Sequence, residues 1–217
     1  MGASKTQAVR RVRRDPRRET TRAALIEAAE TLFADSGVES VSLRQIGTAI
    51  GSGNTSVVFY HFGSKEALIE EIFMHRVPAL EARRAELFAI ATREGRERDL
   101  PALVHALWWP VFEQTNADGR HSYAAFLASI SRANLGWLRR SMEDSFPVTK
   151  DLVARIGAAI PKEAKRFSKE TSRISFAIIA AALQHCDQHH RRSPKRAKAL
   201  FSHALRIAAA AMTVPGR

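Results

Sequence analysis

The stretch that decides the fold is Ser42-Leu43-Arg44-Gln45-Ile46-Gly47-Thr48-Ala49-Ile50-Gly51-Ser52-Gly53-Asn54-Thr55-Ser56-Val57-Val58-Phe59-Tyr60-His61-Phe62-Gly63-Ser64. Ser42 with Gln45 three residues on has the spacing of a capping box, so a helix starts there. Leu43, Ile46 and Ile50 follow at helical intervals and form its inward side. Gly51-Ser52-Gly53-Asn54 reads as a turn, because glycine and asparagine tolerate positive φ. A second short helix is expected from about Thr55 to His61. Gly63 stops it and Ser64 caps the next helix, Lys65–Arg76, with Leu68, Ile69, Ile72 and Phe73 inward. Upstream, Thr21–Ser36 carries Leu25, Ile26, Ala29, Leu32 and Phe33 on one stripe, and Gly37 is its C-terminal stop.

A helix, two short helices joined by a tight glycine turn, and a longer helix make the layout of a helix-turn-helix. In that layout the first short helix props the second. The second must bury one apolar face and offer small polar and aromatic side chains to base edges. Val57 and Val58 supply the buried face. Asn54, Thr55, Ser56, Phe59, Tyr60 and His61 are left for contact. The same pattern also fits any three-helix corner of an all-α protein.

An ordered set of residues narrows this choice. Ala28-Ala29-Glu30-Thr31-Leu32-Phe33 then Gly37, Ser42-Leu43-Arg44-Gln45-Ile46, Tyr60-His61-Phe62 and Ser64-Lys65-Glu66-Ala67-Leu68 together resemble the N-terminal domain of the TetR family of bacterial regulators. The resemblance implies an all-α protein: an N-terminal three-helix helix-turn-helix DNA-binding domain, then a C-terminal helical regulatory and dimerisation domain. It implies that Asn54, Thr55 and Ser56 lie where recognition helices touch bases. Tyr60 and His61 would reach phosphates or base edges. Lys65, Ser42 and Arg44, at helix starts, would meet backbone phosphates. Two departures shift these contacts. The turn reads Ile50-Gly51-Ser52-Gly53-Asn54 instead of alanine-glycine-valine-serine, and Ile46 to Phe62 is one residue longer than usual. Phe59 then stands where the family usually has tyrosine.

Outside this stretch the chain divides into a basic arm (residues 1–20), the reading domain (21–66) and a helical effector-binding and dimerisation domain (67–217). Residues 1–22 hold eight basic side chains (Lys5, Arg10, Arg11, Arg13, Arg14, Arg17, Arg18, Arg22) against Asp15 and Glu19, a net of +6. With Pro16 and no apolar face, the arm is read as flexible, either touching phosphates or simply solvated. The whole chain of 217 residues carries +12, which favours a polyanionic partner. Residues 77–217 account for 23 basic and 13 acidic side chains, a net of +10, so most of the excess lies off the reading domain. Cys186, the single cysteine, rules out an intramolecular disulfide framework and fits a reducing cytoplasm. No apolar run reaches the roughly 18–20 residues of a membrane span, and the basic N-terminus is not followed by an apolar stretch, so it is no secretory signal.

In the second half Pro78 is expected to kink or break the chain, and Pro110 to kink a helix opened by Asp99-Leu100-Pro101. Trp108, Phe112, Tyr123, Phe126 and Trp137 make an aromatic-rich middle. These side chains are either ordinary core or, as the resemblance implies, the lining of an apolar pocket for a hydrophobic small-molecule effector. Ile174–Cys186 is apolar nearly all round and so needs cover on every side. Ile178, Ile179 and Leu183, with Leu205 on the last helix, are expected at a two-fold homodimer interface, which would present two reading heads to a palindromic operator. His185/His189 and Cys186/His190 are i, i+4 pairs that point in different directions, so no metal site is assigned. Nothing calls for a cofactor. No nucleophile elbow, P-loop, dinucleotide fingerprint or zincin motif points to an enzyme. The expected function is a ligand-responsive transcriptional regulator, a repressor. A sequence-independent nucleoid-type binder is the alternative.

Overall fold

The computed structural model describes residues 16–54 and 56–216. Thr55 and residues 1–15 of the basic arm lie outside the described residues. Among these there are ten α-helices and no strand: α1 (Pro16–Ser36), α2 (Leu43–Ala49), α3 (Val57–Phe62), α4 (Lys65–Arg93), α5 (Leu100–Glu113), α6 (Ser122–Arg132), α7 (Gly136–Ser141), α8 (Pro147–Ala159), α9 (Ser168–His185) and α10 (Pro194–Ala211).

The local signals of the reading domain are realised as hydrogen bonds. Ser42 Oγ accepts from Gln45 N–H, and Gln45 Oε1 accepts from Ser42 N–H, completing the capping box. Gly37, Gly51 and Gly63 all have positive φ. Ser64 Oγ accepts from Ala67 N–H to open α4. Leu25, Ile26, Ala29 and Phe33 of α1 share one core with Ile46, Val57, Val58, Leu68, Ile69, Ile72 and Phe73. Helix α2 crosses α3 closely at Gly47, where a Cβ would sit 3.0 Å from Val57 Cγ1 and that side chain would have to give by a few tenths of an ångström.

Two expectations are corrected. The first helix begins at Pro16, so residues 16–20 are helix and not flexible arm. Pro16 brings a φ suited to a first turn, Glu19 lies in that turn, and the Thr20 hydroxyl donates to Pro16 O. Pro78 does not break the chain, for α4 runs on to Arg93. Proline in a helix interior costs about 3 kcal/mol or more, but Val77 and Leu80 beside it are buried, and burying apolar side chains of this kind recovers about 1.5–3 kcal/mol each. Helix α4 and its core run on past residue 66 without interruption, as the helix expected over Lys65–Arg76 requires.

Helix α6 lies against α1. Val38 N–H donates to Ser129 Oγ at 2.9 Å, Ser122 Oγ donates to Glu30, and Arg120 pairs with Asp35. Helix α8 has no cap of its own. Glu81, from α4, accepts the N–H groups of Val148 and Thr149 and the Thr149 hydroxyl, as an acidic group does well at a helix start. Helices α9 and α10 pack closely, with Ser175 Oγ donating to Ala208 O at 3.0 Å.

Candidate nucleic-acid interface

The turn between α2 and α3 absorbs its extra residue through its own polar side chains. Ser52 Oγ accepts from Asn54 N–H, and Asn54 Oδ1 accepts from Ser56 N–H at 2.9 Å. Asn54 therefore does the capping that Ser56, which makes no side-chain cap, does not. With Val57 and Val58 buried, α3 turns its other side outward. Phe59 and Tyr60 are 65% and 66% exposed, and Asn54 and Ser56 are exposed beside them, as are Ser42 and Arg44 at the start of α2. Phe59 and Tyr60 thus form an adjacent pair of exposed aromatics on the outer side of α3.

His61 is half-buried. Its Nδ1 is enclosed without a hydrogen-bond partner among the described residues, and its ring meets Tyr60 edge-on at 5.2 Å. Burial first, then the charges of Arg18 and Arg22, push its pKa below the ordinary 6.5. The folded state thus binds this proton less readily than the unfolded chain. The associated stability is present above 6.5 and is lost as the pH falls toward the lowered value. The His61 imidazole resonances followed by NMR should titrate below 6.5, and Arg18→Gln should move that midpoint upward. A midpoint at or above 6.5 in the parent protein would refute this account.

Lys65, expected to meet a phosphate, is engaged within the subunit. Its ammonium donates to Val38 O at 2.7 Å and lies over the Phe33 ring. It fastens the α1–α2 loop to α4 instead of pointing to solvent. Two arginines of α1, Arg18 from the expected arm and Arg22 from the expected first helix, lie on this face. Arg18 lies over the Tyr60 ring at 5.5 Å, and Arg22 over Phe62 at 5.1 Å while pairing with Glu71. Pro16 followed by Glu19 is the start signal that would have found Arg18. The placement of both arginines matters because residues 23–76 carry only three basic side chains against seven acidic. Positive charge reaches this face chiefly from the start of α1.

Residues 25–72 match the family described as bacterial regulatory proteins, tetR family. These residues thus form a domain of the TetR-family type. The HTH-type transcriptional repressor Rv3405c of Mycobacterium tuberculosis is 40% identical over 58 residues, which cover 27% of this chain and 30% of that protein. The HTH-type transcriptional regulator Mb3439c of Mycobacterium bovis matches to the same extent. The chain thus spans about 30% of the length of the curated relatives it matches. A solved structure from Mesorhizobium loti, assigned to the TetR family, aligns over 90% of this chain and 98% of its own, with a TM-score of 0.37 and 16% identity.

Beyond the TetR-family domain, a cavity of about 400 Å³ lies among α4, α5, α6, α8 and α9. Trp108 and Tyr123 line it, with Leu127, Ile130 and Phe176. Three aromatics expected there do not. Phe126 is fully buried among Phe33, Phe73 and Tyr123. Phe112 stacks on Phe201 and His121. Trp137 is 50% exposed on α7. Position along the chain did not separate them, because the crossing helices decide which ring meets the cavity and which meets the core.

The expected dimer residues also divide. Ile179, Leu183 and Leu205 are buried within the subunit, in the layer where α10 packs on α9 and α5. Ile178 is half-exposed. Outward on α9 and α10 lie Ile174, Ala199, Ile207 and Ala210, while Ala177 and Ala181 line a groove between α1, α6 and α9. Cys186 is turned inward against Ala197 O, and burial, with Asp187 beside it, pushes its thiol up to about 11. It is therefore separated from the His185–His189 ring pair. No described helix is long and apolar enough to cross a membrane.

Proposed function

We propose that this TetR-family chain is a ligand-responsive repressor that binds palindromic operator DNA as a homodimer and is released by a small molecule. One observation carries the ligand response: α6 has two jobs. One side of it, through Tyr123, Leu127 and Ile130, lines the cavity. The other, through Ser122 and Ser129, is bonded to α1 and the loop after it. A ligand that displaces α6 therefore bears on the reading domain. Such a ligand switches the protein only to the extent that it prefers one of the two states. The apolar stripe on α9 and α10 supports the dimer, since it is surface that a second copy would cover.

DNA selected from genomic fragments, followed by fluorescence anisotropy at physiological salt, tests the reading. The expected result is a palindromic site bound by two chains about 10³-fold or more tighter than random DNA. Equal affinity for both would establish the sequence-independent alternative. The contacts are tested by Asn54→Ser/Tyr60→Ala, in which serine keeps an oxygen to cap α3. At roughly 1–3 kcal/mol per base-edge contact, the double variant should weaken operator binding at least about thirtyfold with an unchanged circular-dichroism spectrum. Wild-type affinity in that variant would sink the assignment of this face.

A further inference from the structure

Resting on the reading of the cavity as a ligand site, we infer that the ligand is an amphipathic organic anion: an apolar, ring-sized body inside and an anionic head at the mouth, held by Arg173. The volume, about 400 Å³, is well above the roughly 150 Å³ that takes one benzene ring, so a two- or three-ring body fits. The walls are mostly apolar, with Trp108 and Phe176 in contact at 5.4 Å.

The charges decide where the head goes. Arg84, at the inner end, is engaged by the protein itself. Its Nε donates to Leu107 O at 3.0 Å, an Nη donates to Thr149 Oγ1 at 2.8 Å, and Glu81 lies 3.5 Å away. The cavity interior is thus balanced and offers no call for an anion. The mouth is different. Arg173 lines both the cavity and a groove of about 540 Å³ that runs on between α1, α6 and α9. It is exposed and has no hydrogen-bond or ion-pair partner among the described residues. Arg132, in the same groove, is likewise exposed and without such a partner among them. Of the two carboxylates that line the groove, Asp35 is paired with Arg120 and Asp187 is hydrogen-bonded to the His121 side chain and backbone. The two guanidinium groups therefore face the groove with no carboxylate paired to either of them. A planar fork of donors there suits a carboxylate or sulfonate.

Two probes of one skeleton separate body from head: 8-anilino-1-naphthalenesulfonate, an anion, and N-phenyl-1-naphthylamine, which lacks the sulfonate. Binding to the full chain is read by probe fluorescence and by energy transfer from tryptophan. The anion should bind about tenfold or more tighter than the neutral probe, as one charge-assisted contact allows. Arg173→Gln should remove that preference and leave the neutral probe's affinity within about twofold. Arg173→Lys should keep part of the preference. Leu127→Trp, which fills the cavity, should weaken both probes. Arg206→Gln, which lines neither space, should change neither. Equal binding of the two probes to the parent protein, or a preference that survives Arg173→Gln, would overturn the inference. So would absence of binding by either probe. Operator affinity measured with the anion bound separates the two readings. Probe binding as described with unchanged DNA affinity refutes the ligand-responsive repressor and supports the anion site.

Discussion

Glu30→Ala should lower the stability of the folded chain by about 3–5 kcal/mol, the usual cost of removing one member of a buried ion pair. Glu30 is 1% exposed. Both its oxygens accept from the Arg76 guanidinium at 2.7 Å, and one also accepts from Ser122 Oγ. Without it, Arg76 keeps its charge in a mostly buried position, and the Ser122 hydroxyl loses its acceptor. Urea denaturation at neutral pH measures the loss as a lower midpoint with little change in slope. Replacing both partners, as Glu30→Leu/Arg76→Met, should recover much of it, because an apolar pair leaves no uncompensated charge. A single-variant loss under about 1 kcal/mol would show that water or a shifted neighbour satisfies Arg76, and that the pair does not tie α1 to α4 and α6.

Phe126→Ala should cost about as much, roughly 3–5 kcal/mol, for a different reason. Its ring is fully buried, 6.3 Å from Phe33, 5.4 Å from Phe73 and 6.0 Å from Tyr123, centroid to centroid. Truncation loses the transfer energy of the ring and opens a void bounded by three helices that cannot all collapse inward. Phe126→Leu should cost less, because it keeps more of the volume. If alanine and leucine proved equally mild, the close packing among α1, α4 and α6 would be wrong.

The reading domain was largely legible because its signals are local. A capping box needs Ser42 and Gln45 and nothing else, and Gly37 and Gly63 stop helices by their own φ. What was not legible depends on residues far along the chain. Pro78 looks like a breaker until the burial of Val77 and Leu80 outweighs it. Phe126 and Tyr123 lie three residues apart on one helix, yet only Tyr123 reaches the cavity, because α1 and α4 close over Phe126. Ile179 and Leu205 have the composition of an interface, but α9 and α10 consume them against each other and α5. What remains outside is largely alanine, which composition cannot distinguish from core. Arg18 was hidden by its neighbours: a run of arginines reads as solvated tail, and only the helix that starts at Pro16 carries it to Tyr60.

The double duty of α6 has a further consequence under the proposed function. Coupling between two sites is reciprocal: whatever factor the ligand takes from DNA affinity, DNA must take from ligand affinity. Chains already seated on an operator would then be the last in the cell to fill their cavities, while unbound chains fill first. Derepression would set in at a ligand concentration above the one that saturates free protein, and extra copies of the chain would raise that concentration further. The wall shared by cavity and α1 thus makes the response threshold a property of how much of the population is on DNA, as well as of the pocket.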